Sequence, residues 1–335
     1  MPVLPTILTV TLNPTVDISL EVDRLIGEGK NRAQVRSVQG GGGGINVARC
    51  VRTLGGSAVA LHTCGREVGR RLDRLLDEEG LAHRGIEIGS DTREAVVVAE
   101  AHSGHSYHIV PPGAELTIPE WQRCAETIVT AAQQFPYLVL TGSVPPGLPD
   151  DFCAEILRRI DPAETRTVLD IAGAQLRAVL EKTAFAIRLD RREAAGLLGR
   201  PIERFADAQD ANELVLGKGS VANAITTVGA LGAVCSNSIS HHRLSAPRLP
   251  HLPCSSDACA GDSLVGAFTY QLAAGADCLH ACEYGVAAAA ATVMRPGTDI
   301  FERSTVETLL CEVRTYTVDR TVTPAAASAD SFQQN

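Results

Sequence analysis

The stretch Ser256-Asp257-Ala258-Cys259-Ala260-Gly261-Asp262-Ser263 is a turn of small and polar residues that runs directly into an apolar pattern. Leu264, Phe268 and Leu272 recur every four residues, the spacing of one helix face. Gly275 stands where a helix commonly ends on a left-handed glycine. The stretch therefore reads as a loop that opens a helix. The first amides of a helix have no partner inside it and attract anions. A carboxylate in the same turn, here Asp262, is favoured by the helix dipole. An anion cradle beside a carboxylate suits phosphoryl transfer, with Asp262 as the base. The same carboxylate would also serve as a plain cap, and on this stretch alone the cap is the more economical reading.

Outward from it, residues 6–12 are β-branched and apolar, the pattern of a buried strand, and Asn13, Pro14 and Asp17 follow its end. Residues 137–140, 167–170, 186–190 and 224–228 read the same way, and several run into polar or glycine turns. Helical patterns over 66–79 and 120–134 separate such strands. The alternation predicts βαβ units in the α/β class: a doubly wound, mostly parallel sheet with ligands at the C-terminal ends of its strands. Segments 18–38 and 92–110 alternate in short runs instead and are predicted to form a small separate β-sheet that closes over the site as a lid. Residues 1–322 are expected to form one domain. From about residue 323 the chain is Ala, Ser, Asp and Gln, which predicts a disordered tail.

Gly40 to Gly44 precede Val47, Cys50, Val51 and Leu54, which have helical spacing. Five consecutive glycines lose considerable conformational entropy on folding, so close approach of backbone to a polar ligand is a better account of them than a flexible turn. Two nucleotide-loop signatures fail. No G-x-x-x-x-G-K-[ST] occurs, although Gly217-Lys218-Gly219-Ser220 mimics its end, and no G-x-G-x-x-G follows the first strand.

The 335 residues are 45% hydrophobic and 21% charged, a globular composition, but only 4% aromatic, so the core rests on Val, Leu, Ile and Ala. A net charge of -9 argues against non-specific nucleic-acid binding. It leaves room for a small anionic substrate, which needs only a local cluster of Lys and Arg. No segment reaches the roughly 20 apolar residues of a membrane span. The first positive side chain is Arg24, which leaves no basic region for a signal peptide, so a cytoplasmic protein is expected. The ten cysteines are scattered without a C-x-x-C pair and are expected to be mostly free buried thiols. Cys278 and Cys282, one helical turn apart, read as packing. The nine histidines show no ligand spacing, and His241-His242 reads as a surface loop.

Taken together, the motifs resemble the PfkB branch of the ribokinase-like carbohydrate kinases, within it the minor type of 6-phosphofructokinase. The likeness rests on Gly41-Gly42-Gly43-Gly44-Ile45-Asn46-Val47-Ala48-Arg49, led by Glu28-Gly29-Lys30 and Arg32, and on Ala260-Gly261-Asp262-Ser263. Between them fall Pro112-Gly113-Ala114, Gly142-Ser143-Val144-Pro145-Pro146-Gly147 and Thr227-Val228-Gly229-Ala230-Leu231-Gly232; Gly285-Val286-Ala287-Ala288 and Gly297-Thr298 continue it to about residue 314. The resemblance implies a three-layer αβα core with a β lid, lid-to-lid homodimers, and MgATP as phosphoryl donor to a phosphosugar. It casts Asp262 as general base, with the amides of Cys259, Ala260, Gly261 and Asp262 as the anion hole. It assigns sugar contacts to Asp17, Gly41, Gly42 and Asn46, and the sugar's own phosphate to Lys30, Arg32, Arg93 and Ser143.

On the nucleotide side the resemblance implies roles for Arg188, Asp190, Thr227, Gly229, Gly232, Val286 and Ala290, with Glu193 in the Mg²⁺ network. Here the chain departs from the family pattern. Arg188-Leu189-Asp190-Arg191-Arg192-Glu193 stands where Lys-Pro-Asn-x-x-Glu is usual, and Cys259 replaces a glycine. Asp190 adds a negative charge that would either strengthen metal binding or repel ATP. Cys259 would crowd the anion hole and expose it to oxidation. A monovalent-cation site would fall near Ser256, Ala258, Thr292, Arg295 and Gly297, where the charge of Arg295 opposes K⁺. The implied reaction is fructose 6-phosphate plus ATP to fructose 1,6-bisphosphate plus ADP. Tagatose 6-phosphate and fructose 1-phosphate are alternative acceptors. A sugar-phosphate-binding protein without catalysis is the remaining alternative, resting only on the 188–190 change and Cys259.

Overall fold

The computed structural model describes residues 6–250 and 256–320. The expected disordered tail and Cys254 lie outside the described residues. In chain order the structure runs β1 (Ile7–Thr11), β2 (Thr15–Val22), β3 (Gln34–Gly41), α1 (Gly43–Thr53), β4 (Ala58–Gly65), α2 (Arg66–Glu79), β5 (His83–Ile88), β6 (Arg93–Glu100) and β7 (Ser106–Ile109). It continues with α3 (Ile118–Ala132), β8 (Tyr137–Thr141), α4 (Phe152–Arg159), β9 (Arg166–Asp170), α5 (Gly173–Val179), β10 (Ala184–Leu189), α6 (Arg191–Leu198), α7 (Phe205–Leu216) and β11 (Val221–Thr227). It ends with β12 (Gly232–Ser236), β13 (Ser240–Ser245), α8 (Ala260–Ala273), α9 (Cys278–Val293), α10 (Arg303–Leu310) and β14 (Arg314–Asp319).

The strands form a ten-stranded sheet in the order β14-β13-β12-β11-β10-β9-β8-β1-β4-β5. From β11 to β5 every pairing is parallel, and β12, β13 and β14 extend the sheet antiparallel. Successive strand residues point to opposite faces, so each strand feeds two cores. Leu8, Val10, Leu138 and Leu140 pack with Ile128, Phe152 and Val215 on one face. Ile7, Tyr137 and Val139 pack with Ile45, Val51, Leu264 and Phe268 on the other. This is the three-layer αβα arrangement, with β1 wholly buried at its centre.

The second sheet, in the order β3-β2-β6-β7, is the lid expected from segments 18–38 and 92–110. Its first strand starts earlier than the alternation suggested, at Thr15, because Thr15 and Val16 already pair with Gly41 and Gly40. The lid therefore joins the main sheet at the glycine run itself.

His241 and His242 correct the sequence reading. They lie on β13, not on a surface loop, and both are buried. His241 meets Ser236 Oγ at 2.8 Å and Glu213 at 2.8 Å. His242 meets Ser240 Oγ and Thr317 Oγ1, each at 2.9 Å. A strand covered on both faces buries consecutive side chains, so an adjacent polar pair need not be exposed. The nine described cysteines are free, and Cys235 joins Cys278 and Cys282, its Sγ 3.9 Å from that of Cys278.

Candidate active site

The stretch 256–263 does open a helix. Asp262 sits in the first turn of α8, and Cys259 is the residue before the helix, in the left-handed region at φ 60°. Ala260 N–H donates to the Asp257 carbonyl at 3.2 Å and Ser263 N–H to the Cys259 carbonyl at 2.8 Å. The amides of Gly261 and Asp262 have no backbone acceptor among the described residues. They are the free donors of this helix start, while Ala260 is engaged in the turn.

Asp262 is held from below by α1. Asn46 Nδ2 donates to Asp262 Oδ2 at 2.8 Å and lies 3.4 Å from Cys259 Sγ. Arg49, one turn on, fixes which way the Asn46 amide points: its Nη1 donates to Asn46 Oδ1 at 2.7 Å. The same guanidinium binds Glu79 of α2 through Nε at 2.6 Å and Nη2 at 2.9 Å, and the Gly40 carbonyl at 2.6 Å. Burial pushes the Asp262 carboxyl up to about 7; Asp170 adds to this, and Asn46, Arg188 and Arg49 oppose it. A carboxyl at that value is matched to taking a proton near neutral pH.

The glycine run shapes the floor beside it. A Cβ at Gly41 would overlap the Asp17 carboxylate, and Gly42, at φ 116°, has Thr11 and Pro14 in the same space. These are packed close approaches, so the flexible-turn reading of 40–44 falls away. Burial raises the Asp17 pKa, with Thr15, Arg49 and Arg93 opposing. Arg93 donates to the Pro111 carbonyl at 2.8 Å and the Asn13 carbonyl at 2.9 Å, with Ser143 Oγ at 3.5 Å. Asn13 Nδ2 joins the group, 3.2 Å from Ser143 Oγ. Arg93 Nε is buried without an acceptor, a donor left over for an anion. Lys30 and Arg32 lie on the exposed loop between β2 and β3, and no described contact ties them to this group.

On the other side, Arg188 at the end of β10 spans the site. Its Nη1 donates to Asp170 Oδ1 at 3.0 Å and its Nη2 to Thr227 Oγ1 at 3.2 Å. A Cβ at Gly261 would lie 2.8 Å from Arg188 Nη1, so the guanidinium lies against the free amides of α8. Burial opposes its charge, but Asp170, with Glu193 and Asp190, holds the arginine above its ordinary value. Asp190 caps α6, with Oδ1 accepting from Arg192 N and Glu193 N at 2.7 Å each. Glu193 Oε2 returns the bond by accepting from Asp190 N at 2.6 Å. Burial pushes the Glu193 carboxyl up to about 7, and Asp170 and Asp190 add to it. Three carboxylates around one arginine are short of positive charge. A hard, oxygen-seeking ion such as Mg²⁺ fits that donor set, with Glu193 and Asp170 to hold it directly or through water.

The other residues expected at the nucleotide spread along β11, β12 and α9. Thr227 Oγ1 sits 3.3 Å from the Leu189 carbonyl, and Gly229 opens the short turn that follows β11. Gly232, at φ 123°, has no room for a side chain against the Leu244 carbonyl, so its place is set by strand pairing. Val286 and Ala290 are buried on α9. Around the expected monovalent-cation site, Thr292 Oγ1 donates to Ser263 Oγ at 2.7 Å and Arg295 pairs with Glu302 at 3.0 Å. Ser256 Oγ accepts from Ala258 N at 3.2 Å, and Gly297 is left-handed. Burial and Asp262 raise the Cys259 thiol well above its ordinary value, which favours the protonated, less reactive form.

Sequence reasoning missed Arg49, Glu79 and Asp170. Arg49 had a signal, since an arginine three residues after Asn46 shares its helix face. Asp170 had a weaker one, as the last residue of a buried strand. Glu79 had none, because its partner is thirty residues away in the chain.

The chain matches the model of the pfkB family of carbohydrate kinases over residues 10–304. It is 33% identical over 306 residues to ATP-dependent 6-phosphofructokinase isozyme 2 of Mycobacterium tuberculosis strain H37Rv, covering 90% of this chain and 88% of that one. The isozyme 2 enzyme of Escherichia coli K12 is 30% identical over 293 residues, 87% of this chain and 94% of that one. The crystal structure of phosphofructokinase-2 from Escherichia coli with fructose 6-phosphate superposes with a TM-score of 0.84 at 28% identity, covering 92% of this chain and 99% of that one. With the αβα core, the lid and Asp262 at the helix start all in place, the chain belongs to the pfkB family of carbohydrate kinases.

Proposed function

We propose that the protein is an ATP-dependent 6-phosphofructokinase. The acceptor hydroxyl of fructose 6-phosphate gives its proton to Asp262, and its oxygen bonds to the γ-phosphorus of ATP. The bond from that phosphorus to the bridging oxygen breaks, leaving fructose 1,6-bisphosphate and ADP. The amides of Gly261 and Asp262, with Arg188 against them, face the charge of the transferring group. Mg²⁺ bound with ATP would supply the positive charge that Glu193 and Asp170 lack. Asp17, Gly41, Gly42 and Asn46 line the sugar side. Arg93 and Ser143 take the sugar's own phosphate, and Lys30 and Arg32 join them when the lid closes or pairs.

The observation that carries this reading is the relay from Glu79 through Arg49 and Asn46 to Asp262, which orients one carboxylate at a helix start with its pKa near 7. A helix cap needs no such support. The exposed lid residues Val35, Ile109 and Val110, together with Tyr107, fit a homodimer formed lid to lid. Among the described residues no helix is long and apolar enough to cross a membrane. A cytoplasmic enzyme, where ATP and sugar phosphates are found, follows from the same reading.

The test is ADP release with MgATP and fructose 6-phosphate, tagatose 6-phosphate or fructose 1-phosphate in parallel. A clear preference in kcat/KM for fructose 6-phosphate is expected. Preference for another ketose phosphate moves the acceptor assignment. Silence with all three, while sugar phosphates still raise the melting temperature, overturns the kinase in favour of a binding protein.

A further inference from the structure

The edge of the central sheet carries a second group of polar side chains that phosphoryl transfer does not use. His62 on β4, His83 on β5 and Asp73 on α2 converge there, with their ligand atoms all within 4.8 Å of one another. His62 Nε2 lies 3.1 Å from His83 Nδ1 and 3.5 Å from Asp73 Oδ1. His83 Nδ1 lies 3.8 Å from the same oxygen.

The outer ring nitrogens decide where the hydrogens are. His62 Nδ1 is 3.0 Å from the Thr63 carbonyl, which only accepts, so that nitrogen carries the hydrogen. His83 Nε2 is 3.2 Å from Asp77 Oδ1, an acceptor as well. A neutral imidazole has one N–H. With both rings neutral, the two inner nitrogens are lone pairs facing each other. Asp73 Oδ1, buried and receiving no hydrogen bond, adds a third acceptor to the same space. The other Asp73 oxygen is fixed by the Cys64 thiol at 3.1 Å. Three converging acceptors with no donor between them form a costly arrangement that a cation relieves.

We propose that His62, Asp73 and His83 bind a divalent transition-metal ion of the zinc class, which clips α2 to the outer strands of the sheet. Zinc bonded at about 2.0–2.1 Å in a tetrahedron sets neighbouring ligand atoms about 3.3–3.4 Å apart. The three edges here, 3.1, 3.5 and 3.8 Å, bracket that separation. Hydrogen bonds from the outer nitrogens to a carbonyl and a carboxylate are the supports that metal-bound histidines use. Water takes the fourth position. The thiols of Cys235, Cys278 and Cys282 are a comparable cluster, also within 4.8 Å. A thiol can donate as well as accept, and Cys235 and Cys278 already meet at 3.9 Å, so that cluster can satisfy itself without an ion. The histidine group is not.

The test uses the full chain, stripped with a chelator and dialysed against zinc or cobalt. Zinc is expected to raise the melting temperature by about 5 °C or more at saturation. Mg²⁺ should not replace it. His83→Gln and Asp73→Asn should lose the shift, and Cys278→Ser should keep it. Cobalt should give visible bands without sulfur-to-cobalt charge transfer. The proposal is overturned if zinc gives no shift, as when a proton on His83 bridges the rings instead. It is equally overturned if both variants keep the shift, or if the cobalt spectrum shows sulfur ligation that Cys278→Ser abolishes. Should His83→Gln fail to fold, the cobalt spectrum of Asp73→Asn decides alone.

Discussion

The two halves of the proposed site are built differently. On the acceptor half, Asp262 is tied through Asn46 and Arg49 to Glu79, and the polar groups of Asn46 and Arg49 are engaged within the chain. On the donor half, Asp170, Asp190 and Glu193 gather around Arg188, whose Nε is buried without an acceptor. The base of the acceptor half is held in place before any ligand arrives, while Arg93 Nε on that half still lacks an acceptor. The proposed donor half sets three carboxylates around one arginine and by itself is short of positive charge. Substitutions on the first side should therefore act on turnover, and on the second side on nucleotide affinity.

The largest expected effect is at Asp262. Asp262→Asn removes the proton acceptor while keeping the shape, and should lower kcat by about 10²–10⁴ with sugar binding retained. In the wild type, Asp262 must be ionised to act, so kcat/KM should fall as the pH drops below about 7. Glu193 also lies near 7, so the acidic limb reports both carboxyls. Stability runs the other way. The Asp262 pKa is raised from 3.8 in the unfolded chain to about 7 in the folded one. The native state thus holds its proton more tightly, and the wild type loses stability as pH rises from about 4 to about 7. Asp262→Asn should melt higher than the wild type at pH 8 and lose that advantage toward pH 4. A variant with full turnover and no such crossover would remove Asp262 from the chemistry.

Arg49→Met comes next. It frees the Asn46 amide to turn its oxygen toward Asp262, replacing a donor with an acceptor. A fall in kcat of about 10-fold or more, with KM for ATP little changed, is expected for a group that acts by holding the base. An equal rise in both KM values would make Arg49 merely structural. Glu79 provides the internal control, since its loss should weaken Arg49 by the same route.

Much of this fold was legible in the sequence because it rests on local signals. The buried runs at 6–12 and 137–140, the helix over 66–79 and the glycine run announce themselves by periodicity and composition. Asp262 and Asn46 were legible through motif residues on two helix starts. The relay was not, because Glu79 and Gly40 reach Arg49 only through tertiary packing. The histidines failed for the same reason: His62 and His83 become neighbours by parallel pairing of β4 and β5, which no spacing along the chain encodes. His241 and His242 are misread from the sequence because β13 is polar, and the groups that satisfy its histidines, among them Ser236, Glu213 and Thr317, come from β12, α7 and β14.

The smallest expected effect is at Asp190, and it tests the donor half directly. The sequence suggested that this extra carboxylate would either help the metal or repel ATP. In the structure its Oδ1 takes two backbone amides at the start of α6. Its charge is thus partly answered by the helix end it caps. Asparagine is an equally good cap, so Asp190→Asn removes the charge and leaves the helix standing. The remaining difference is one partly screened charge near Glu193, whose carboxyl should fall from about 7 once Asp190 is neutral. A change in KM for MgATP of no more than about 3-fold is expected, with kcat unaltered. A tenfold drop in KM would show that Asp190 repels the nucleotide and that the donor half is detuned. A tenfold rise would place Asp190 among the metal-holding carboxylates, and its role as a cap would then be secondary.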